Sequence, residues 1–226
     1  MLVKRKKENK KKGFNKSHLI IVGSFLLIII GISVIGFKYY NLNRIYQEEQ
    51  VMIDSFIEEQ KNIPINETYV EESVMEELKE EPKSEEKVST PNYIAVLEIP
   101  KINLKKGLFD KSSSNNNVDK NIQILKESDM PDKLNGNFIL AGHSGNGRIA
   151  YFKNLNKLEI GDIAYVYYNG GRYGYKLVNS YEIDKTGKAN IVRNANKTTM
   201  TLVTCKHNTE KQIIFIFELM EDIENE

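Results

Sequence analysis

The sequence has 226 residues, of which 32 are Lys or Arg and 31 are Asp or Glu, so the formal net charge is +1. Its single cysteine excludes an intramolecular disulfide and a zinc site of the CxxC type. The net charge describes no part of the chain, because charge is segregated along it. The first 16 residues are strongly basic with a single acid, whereas residues 41–90 are rich in glutamate.

An apolar run follows the basic start of the chain. Residues 19–37, LIIVGSFLLIIIGISVIGF, carry no charge, and a helix of that length measures roughly 28 Å, close to the hydrocarbon thickness of a bilayer. We therefore predict a basic cytoplasmic tail at residues 1–18 and a transmembrane helix at 19–38, with the rest of the chain outside the cell. A cleaved signal peptide is the alternative, but its apolar core is usually about 7–15 residues and ends at a small-residue cleavage site.

Residues 39–90 predict an acidic stalk. Within NRIYQEEQVMIDSFIEEQ, Ile45, Met52 and Phe56 recur at near-helical spacing, which favours a short helix. Beyond Pro64 the sequence is too acidic and too poor in large apolar residues to form a core. The expected role is a solvated spacer, and a weak packing face is the alternative.

Residues 91–222 have the pattern of a β-protein. Short apolar or alternating runs are separated by glycine, asparagine and proline turns, which predicts about seven or eight strands. Such a number of strands, antiparallel in appearance, with one or two short helices predicts an all-β domain built as a closed or nearly closed barrel. Residues 110–135 lack a clear period and predict a long surface connection, and residues 223–226 form an acidic tail. The runs are YIAVLEI, INL, GNFILAGHSG, IAYVYY, RYGYKLVNSYEI, TMTLVTC and QIIFIFEL.

The only cysteine, Cys205, ends one of these predicted strands. A thiol attacks as the thiolate, which is a minor species for an ordinary cysteine at neutral pH, so a nucleophilic cysteine needs a basic partner. His143 follows the end of another strand, and a barrel can bring both strand ends to one rim. His207 is nearer in sequence but falls in a predicted turn. Taken alone, a cysteine at the end of a buried strand is more often an inert packing residue, and a glycine-flanked histidine is usually a turn residue.

Together these segments resemble the sortase family. TLVTC at 201–205 fits the TLxTC signature, LAGHSG at 140–145 resembles the segment that carries the catalytic histidine, and LEIGD resembles a turn of the same fold. The resemblance covers roughly residues 91–220 and implies a cysteine transpeptidase on an eight-stranded barrel, of class A or class D type. It implies that Cys205 attacks the threonine carbonyl of an LPxTG-like sorting signal and that His143 acts as acid and base. Thr204 is then a candidate for orienting substrate.

The sequence departs from the sortase pattern at one position. Sortases carry an arginine at the start of the strand after the cysteine, where KQIIFIFEL places Gln212. Gln212 can donate a neutral hydrogen bond in place of that arginine. Alternatively, Arg193, Arg148 or Arg172 reaches the site from elsewhere, or the chain is a weakened, mainly binding relative.

The resemblance also implies partners and a place in the cell. The substrates are LPxTG-like surface proteins of a Gram-positive bacterium, and the acceptor is an amine of a cell-wall peptide or a pilin. A thiol hydrolase that releases the cleaved signal to water, and an anchored binding module with an inactive cysteine, are the competing functions. No cofactor, metal or nucleic-acid partner is predicted.

Overall fold

A computed structural model describes residues 16–61 and 92–220. Three predicted segments lie largely outside these ranges: the basic tail at 1–18, the part of the stalk after residue 61, and the acidic tail at 223–226.

The described chain begins with one long helix, α1, from Lys16 to Lys61. Its first part contains the predicted transmembrane segment, whose large apolar side chains are exposed, and it is long and apolar enough to cross a membrane. The sequence predicted a membrane helix and a separate short helix after it. The two are continuous because no glycine or proline occurs between residues 37 and 61 to end the first one.

Within the described residues, eight strands form a single sheet in the order β2-β1-β5-β6-β8-β7-β4-β3. The two outermost strands, β2 and β3, lie next to each other, so the sheet is a nearly closed barrel. The predicted eight-stranded all-β fold is confirmed. The strands are β1 (Tyr93–Ile99), β2 (Leu104–Phe109), β3 (Gln123–Ile124), β4 (Asn137–Ala141), β5 (Ile163–Tyr168), β6 (Gly171–Asp184), β7 (Thr199–Cys205) and β8 (Lys211–Leu219).

One strand pair differs from the antiparallel pattern that the sequence suggested. β4 and β7 are parallel, with Asn137 opposite Thr199 and Ala141 opposite Val203. Parallel neighbours need a long crossover connection, and here β5 and β6 supply it. Hydrophobic alternation shows which face of a strand is buried but not which strand it pairs with, so the sequence pattern does not reveal this pairing.

Alternating residues of the strands fill the barrel. The interior cluster includes Leu97, Phe138, Leu202 and Phe217, all at most 1% exposed. A second buried cluster, of Ile139, Val203, Ile214 and Ile216, lies on the opposite face of β4, β7 and β8. We call that opposite side the outer face, and it carries the candidate site.

The last three turns of α1 pack against the barrel. Ile53 and Ile57, four residues apart on one side of the helix, are buried against Val96 of β1. The Gln60 side-chain carbonyl accepts a hydrogen bond from the Gly170 backbone N–H at 2.7 Å. Residues 50–61 therefore belong to the same folded unit as the barrel, rather than to a solvated spacer.

Candidate active site

The candidate site lies where the parallel strands β4 and β7 end. The β4–β7 register runs to Ala141 and Val203, and the Gly142 N–H, just before His143, donates to the Val203 carbonyl at 3.2 Å. Gly142 is needed between strand and histidine, because a side chain there would approach the Phe152 ring to 2.8 Å. The structure thus brings the two predicted residues to the same end of neighbouring strands.

Two hydroxyl groups join these strand ends reciprocally. Thr204 Oγ1, just before the cysteine, donates to the Gly142 carbonyl at 2.8 Å. Ser144 Oγ, just after the histidine, donates to the Cys205 carbonyl. We call this pair of bonds the hydroxyl clamp. Because each bond fixes the backbone next to one of the two candidate residues, the clamp holds the backbones at His143 and Cys205 in position relative to each other.

Strand alternation puts Cys205 and Gln212 side by side on the outer face. Cys205 follows Val203 by two residues, and Gln212 precedes Ile214 by two residues, so both share the face of that buried pair. Cys205 is directly opposite Gln212 in the antiparallel β7–β8 ladder. Residues paired in this way have Cα atoms about 4.5–5.5 Å apart. Gln212 therefore lies next to the cysteine, at the strand position where the resemblance to sortases places an arginine.

Lys211 does not face the cysteine. No bulge interrupts the β6–β8 ladder here, and Lys211 is paired with Asp184. Its ammonium lies 3.7 Å from a carboxylate oxygen of Glu182, which also pairs with Lys206. The hydrogen bond from Lys206, aided by the charge of Lys211, holds the pKa of Glu182 below its ordinary value. The two lysines next to the site are thus engaged on the other face.

The structure keeps Arg193 away from this end of the strands. Its guanidinium donates to the backbone carbonyls of Asn135, Asn194 and Lys197, which precede the starts of β4 and β7. The seven-residue length of β7 separates those starts from Cys205, roughly 20 Å at 3.3 Å per residue.

The two other arginines, Arg172 and Arg148, lie in different parts of the fold. Arg172 is at the start of β6, stacked over Tyr165 with its guanidinium carbon 3.8 Å from the ring centroid, while the end of β6 is opposite Lys211 and Gln212. Arg148 is exposed in the loop that directly follows His143. Of the three arginines considered from sequence, Arg148 is thus the one carried by a site loop.

Thr204 has a different environment from the one that its predicted role requires. It is 4% exposed, it points to the face opposite Cys205, and its hydroxyl is occupied by the Gly142 carbonyl. This arrangement suits a residue that positions the strand ends rather than one that touches substrate.

His143 has a carboxylate neighbour that sequence reasoning missed. Its Nε2 lies 3.2 Å from Oδ1 of Asp119, and its side chain is 41% exposed. Asp119 belongs to the connection that the sequence left without a pattern. Ser144 was missed as well, although its place next to His143 in LAGHSG was a usable signal. Among residues 16–61 and 92–220, no group of three or more His, Cys, Asp or Glu side chains is arranged to hold a metal ion.

The outer face beside Cys205 is apolar and partly covered. Its floor is the cluster of Ile139, Val203, Ile214 and Ile216. The connection between β6 and β7 packs over it through Ile191 and is held by Tyr181, whose hydroxyl accepts from the Val192 backbone N–H at 2.6 Å and donates to the Asn190 carbonyl at 3.1 Å. The site thus offers a thiol, an imidazole and an amide next to an apolar surface.

Comparison with known proteins gives the class to which this site belongs. The family model for the sortase domain matches residues 97–219, which include β4, β7 and β8. Sortase A of Bacillus anthracis is 26% identical over 205 residues, covering 88% of this chain and 94% of that protein. Sortase D of Bacillus subtilis is 29% identical over 123 residues, covering 54% and 59%. The structure of a Clostridium perfringens sortase D5 transpeptidase superimposes with a TM-score of 0.50 at 26% identity, over 57% of this chain and 79% of that one.

The chain belongs to the sortase family. It is an enzyme of the sortase type, a cysteine transpeptidase. Sortases as a family act on surface proteins and join them to cell-wall or pilin partners.

Proposed function

We propose that this chain is a membrane-anchored sortase that cleaves an LPxTG-like sorting signal and transfers the acyl part to an amine of a cell-wall peptide or a pilin. The observation that carries the proposal is the parallel pairing of β4 and β7, which supports a His143–Cys205 pair because both strands end at the same side of the sheet, just before His143 and at Cys205. The N-terminal apolar part of α1 supports the anchor. The proposed orientation has the N-terminus in the cytoplasm and the barrel outside, from the basic residues that precede the helix.

The proposed reaction has two covalent steps. In the first, the Cys205 thiolate attacks the threonine carbonyl, the threonine–glycine amide bond breaks, and His143 gives its proton to the leaving glycine amine. In the second, an amine attacks the thioester, the carbon–sulfur bond breaks, and His143 takes the proton of the incoming amine. The thiolate and the imidazolium are then restored.

Gln212 is the proposed donor to the oxyanion that develops in both steps. Its place directly opposite Cys205 supports this role. A neutral amide contributes about 0.5–1.5 kcal/mol per hydrogen bond where a charged donor contributes about 1.5–3 kcal/mol. The expected deficit relative to arginine is on the order of 1–2 kcal/mol, or roughly five- to thirtyfold in rate. Arg148 is the alternative donor, and its position in the loop after His143 supports it.

The proposal is tested by following the fate of the acyl group. The full chain in detergent is incubated with sorting-signal peptides, with and without an oligoglycine or a diaminopimelate-type amine, and the products are identified by mass spectrometry. We expect an amide product that depends on the added amine. Release of the free threonine acid at the same rate with and without the amine would instead establish a hydrolase.

Cys205→Ala is the control in this experiment. The variant removes the sulfur but keeps the strand, so it should fold and give neither product. Product formation by Cys205→Ala would refute the proposal.

A further inference from the structure

We propose that Asp119 is the positioning residue of His143: its carboxylate accepts the Nε2–H of the imidazole, which leaves Nδ1 as the atom that exchanges protons during catalysis. The proposal deepens the function proposed above, since it rests on His143 acting as the acid and base. Nothing in the sequence pattern pointed to this residue.

The contact itself fixes the direction of the hydrogen bond. His143 Nε2 lies 3.2 Å from Asp119 Oδ1, within hydrogen-bond distance. An ionised carboxylate can only accept hydrogen bonds, so the ring nitrogen must be the donor. A neutral imidazole carries one N–H, and with that N–H on Nε2 the lone pair is on Nδ1. The same bond also forms when the ring is an imidazolium, so Asp119 can hold the ring through the whole cycle.

The backbone of Asp119 is held by hydrogen bonds to a neighbouring asparagine. The Asn117 side-chain oxygen accepts from the Asp119 N–H at 2.9 Å, which closes an Asx turn. The Asn117 carbonyl accepts from the next two backbone N–H groups along the chain, at 2.9 and 2.8 Å. The aspartate is therefore presented by an ordered turn.

That turn is anchored to the barrel on both sides. After Asp119, the buried Asn121 side chain donates to the Gly107 carbonyl of β2 at 2.8 Å. Before it, the Asn116 side chain donates to the Ile124 carbonyl of β3 at 2.9 Å and accepts the Ile124 N–H at 2.7 Å. Because each of these bonds reaches a strand, the backbone at Asp119 is held in place, although the Asp119 side chain itself is 77% exposed.

The histidine backbone is held independently of Asp119. Its carbonyl accepts from the Phe152 N–H at 2.9 Å, and the next residue, Ser144, contributes to the hydroxyl clamp. These bonds fix where the side chain begins but not how the imidazole ring is turned. Orientation of the ring is the property that the contact with Asp119 supplies.

The test compares Asp119→Ala, Asp119→Asn and wild type, all as the full chain in detergent. Lys120→Ala is the matched control, because Lys120 is next in the same connection and its ammonium donates to a local carbonyl, that of Ser114 at 3.0 Å. The first readout is the tautomer of His143, measured from the ¹⁵N shifts of histidine-labelled protein and assigned with a His143→Gln spectrum. The second is the kcat and KM of peptide transfer.

We expect the Nδ1–H fraction of neutral His143 to at least double in Asp119→Ala and to stay unchanged in Lys120→Ala. The kcat of Asp119→Ala should fall about three- to fivefold, as for the loss of a solvent-exposed charged pair, with KM unchanged. Asp119→Asn should lie between, because its amide oxygen still accepts the Nε2–H.

A tautomer ratio and kcat in Asp119→Ala that both match wild type would overturn the proposal. A fall in kcat with an unchanged tautomer ratio would also overturn it, since Asp119 would then act in another way. The tautomer measurement needs no turnover, so it decides the question even if wild type fails to transfer the peptide and the proposed function is refuted.

Discussion

The two ends of the parallel pair β4–β7 are built for different purposes. At the end where both strands begin, polar side chains are buried and satisfied: the Asn137 side-chain oxygen accepts from Thr199 Oγ1 at 3.0 Å and from Thr201 Oγ1 at 2.9 Å. All three residues are less than 9% exposed. Where both strands finish, Cys205 and His143 are partly exposed, and the backbones around them are joined by the hydroxyl clamp and by the hydrogen bond from the Gly142 N–H to the Val203 carbonyl at 3.2 Å.

This difference separates stability from chemistry along one strand pair. A closed polar network is costly to break, because each buried group that loses its partner pays its full desolvation penalty. A reactive thiol and imidazole must instead remain accessible to substrate. The beginning of the strands therefore secures their alignment, and that alignment brings together the strand ends that carry the two candidate residues.

Asn137→Ala should give the largest effect, and this effect should be a loss of folding stability. Two buried threonine hydroxyls lose their common acceptor, which should lower the free energy of unfolding by about 2–3 kcal/mol. Denaturation followed by circular dichroism measures this, since the chain has no tryptophan to report unfolding. Asn146→Ala, in the exposed loop after His143, is the control and should stay within about 0.5 kcal/mol of wild type. Equal losses in both variants would erase the distinction between the two ends.

Gln212→Arg should act on the chemistry alone. A charged donor opposite Cys205 should raise kcat about five- to thirtyfold with little change in stability. Arg193→Ala, at the beginning of the strands, is the matched variant and should leave kcat unchanged. Unchanged or lower transfer in Gln212→Arg would count against Gln212 as the oxyanion donor, and loss of turnover in Arg193→Ala would return that role to Arg193.

Thr204→Val should have a smaller effect on turnover, since it removes half of the hydroxyl clamp while keeping the shape of the side chain. The Gly142 carbonyl loses its partner, and we expect kcat to fall about tenfold as the strand ends loosen. Thr204→Ser keeps the hydroxyl and should retain most of the activity. If valine and serine gave the same kcat, the clamp would have no part in positioning the pair.

Asp129→Asn should give the smallest effect on stability. Asp129 contacts the beginning of β4. The Lys133 ammonium, together with the Asn137 backbone N–H at 3.0 Å, holds the pKa of the Asp129 carboxyl below its ordinary value of 3.8. This stabilisation is present above pH 3.8 and is lost as the pH falls through the lower pKa of the folded state. Stability curves of wild type and variant should therefore differ near neutrality and converge in strong acid. A gap that widened in acid would contradict the assignment.

Most of the barrel could be predicted because its strands alternate regularly between the interior and the outer face. Cys205, His143 and the position of Gln212 could be predicted because each lies in or beside such a strand. The parallel pairing of β4 with β7 could not, since alternation does not name a partner strand.

The missed features lie where local patterns are weak. Asp119 is positioned by asparagine side chains that form hydrogen bonds to backbone groups distant in sequence, and hydrophobic periodicity carries no information on such bonds. The run SSSNNNVDKN indicated turns, but not the strands to which those turns are bonded. The packing of α1 was underestimated because glutamates surround Ile53 and Ile57, yet their four-residue spacing was the available signal.

The most direct measurement of the central claim is acylation of Cys205 in the presence and absence of His143. The full chain and its His143→Ala variant are incubated with sorting-signal peptides in detergent, and the acyl adduct is mapped by mass spectrometry over time. The account predicts a thioester on Cys205 that ends at the threonine of the signal, formed at least about a hundredfold more slowly without the imidazole. An adduct that forms equally fast in His143→Ala, or on a residue other than Cys205, would contradict it.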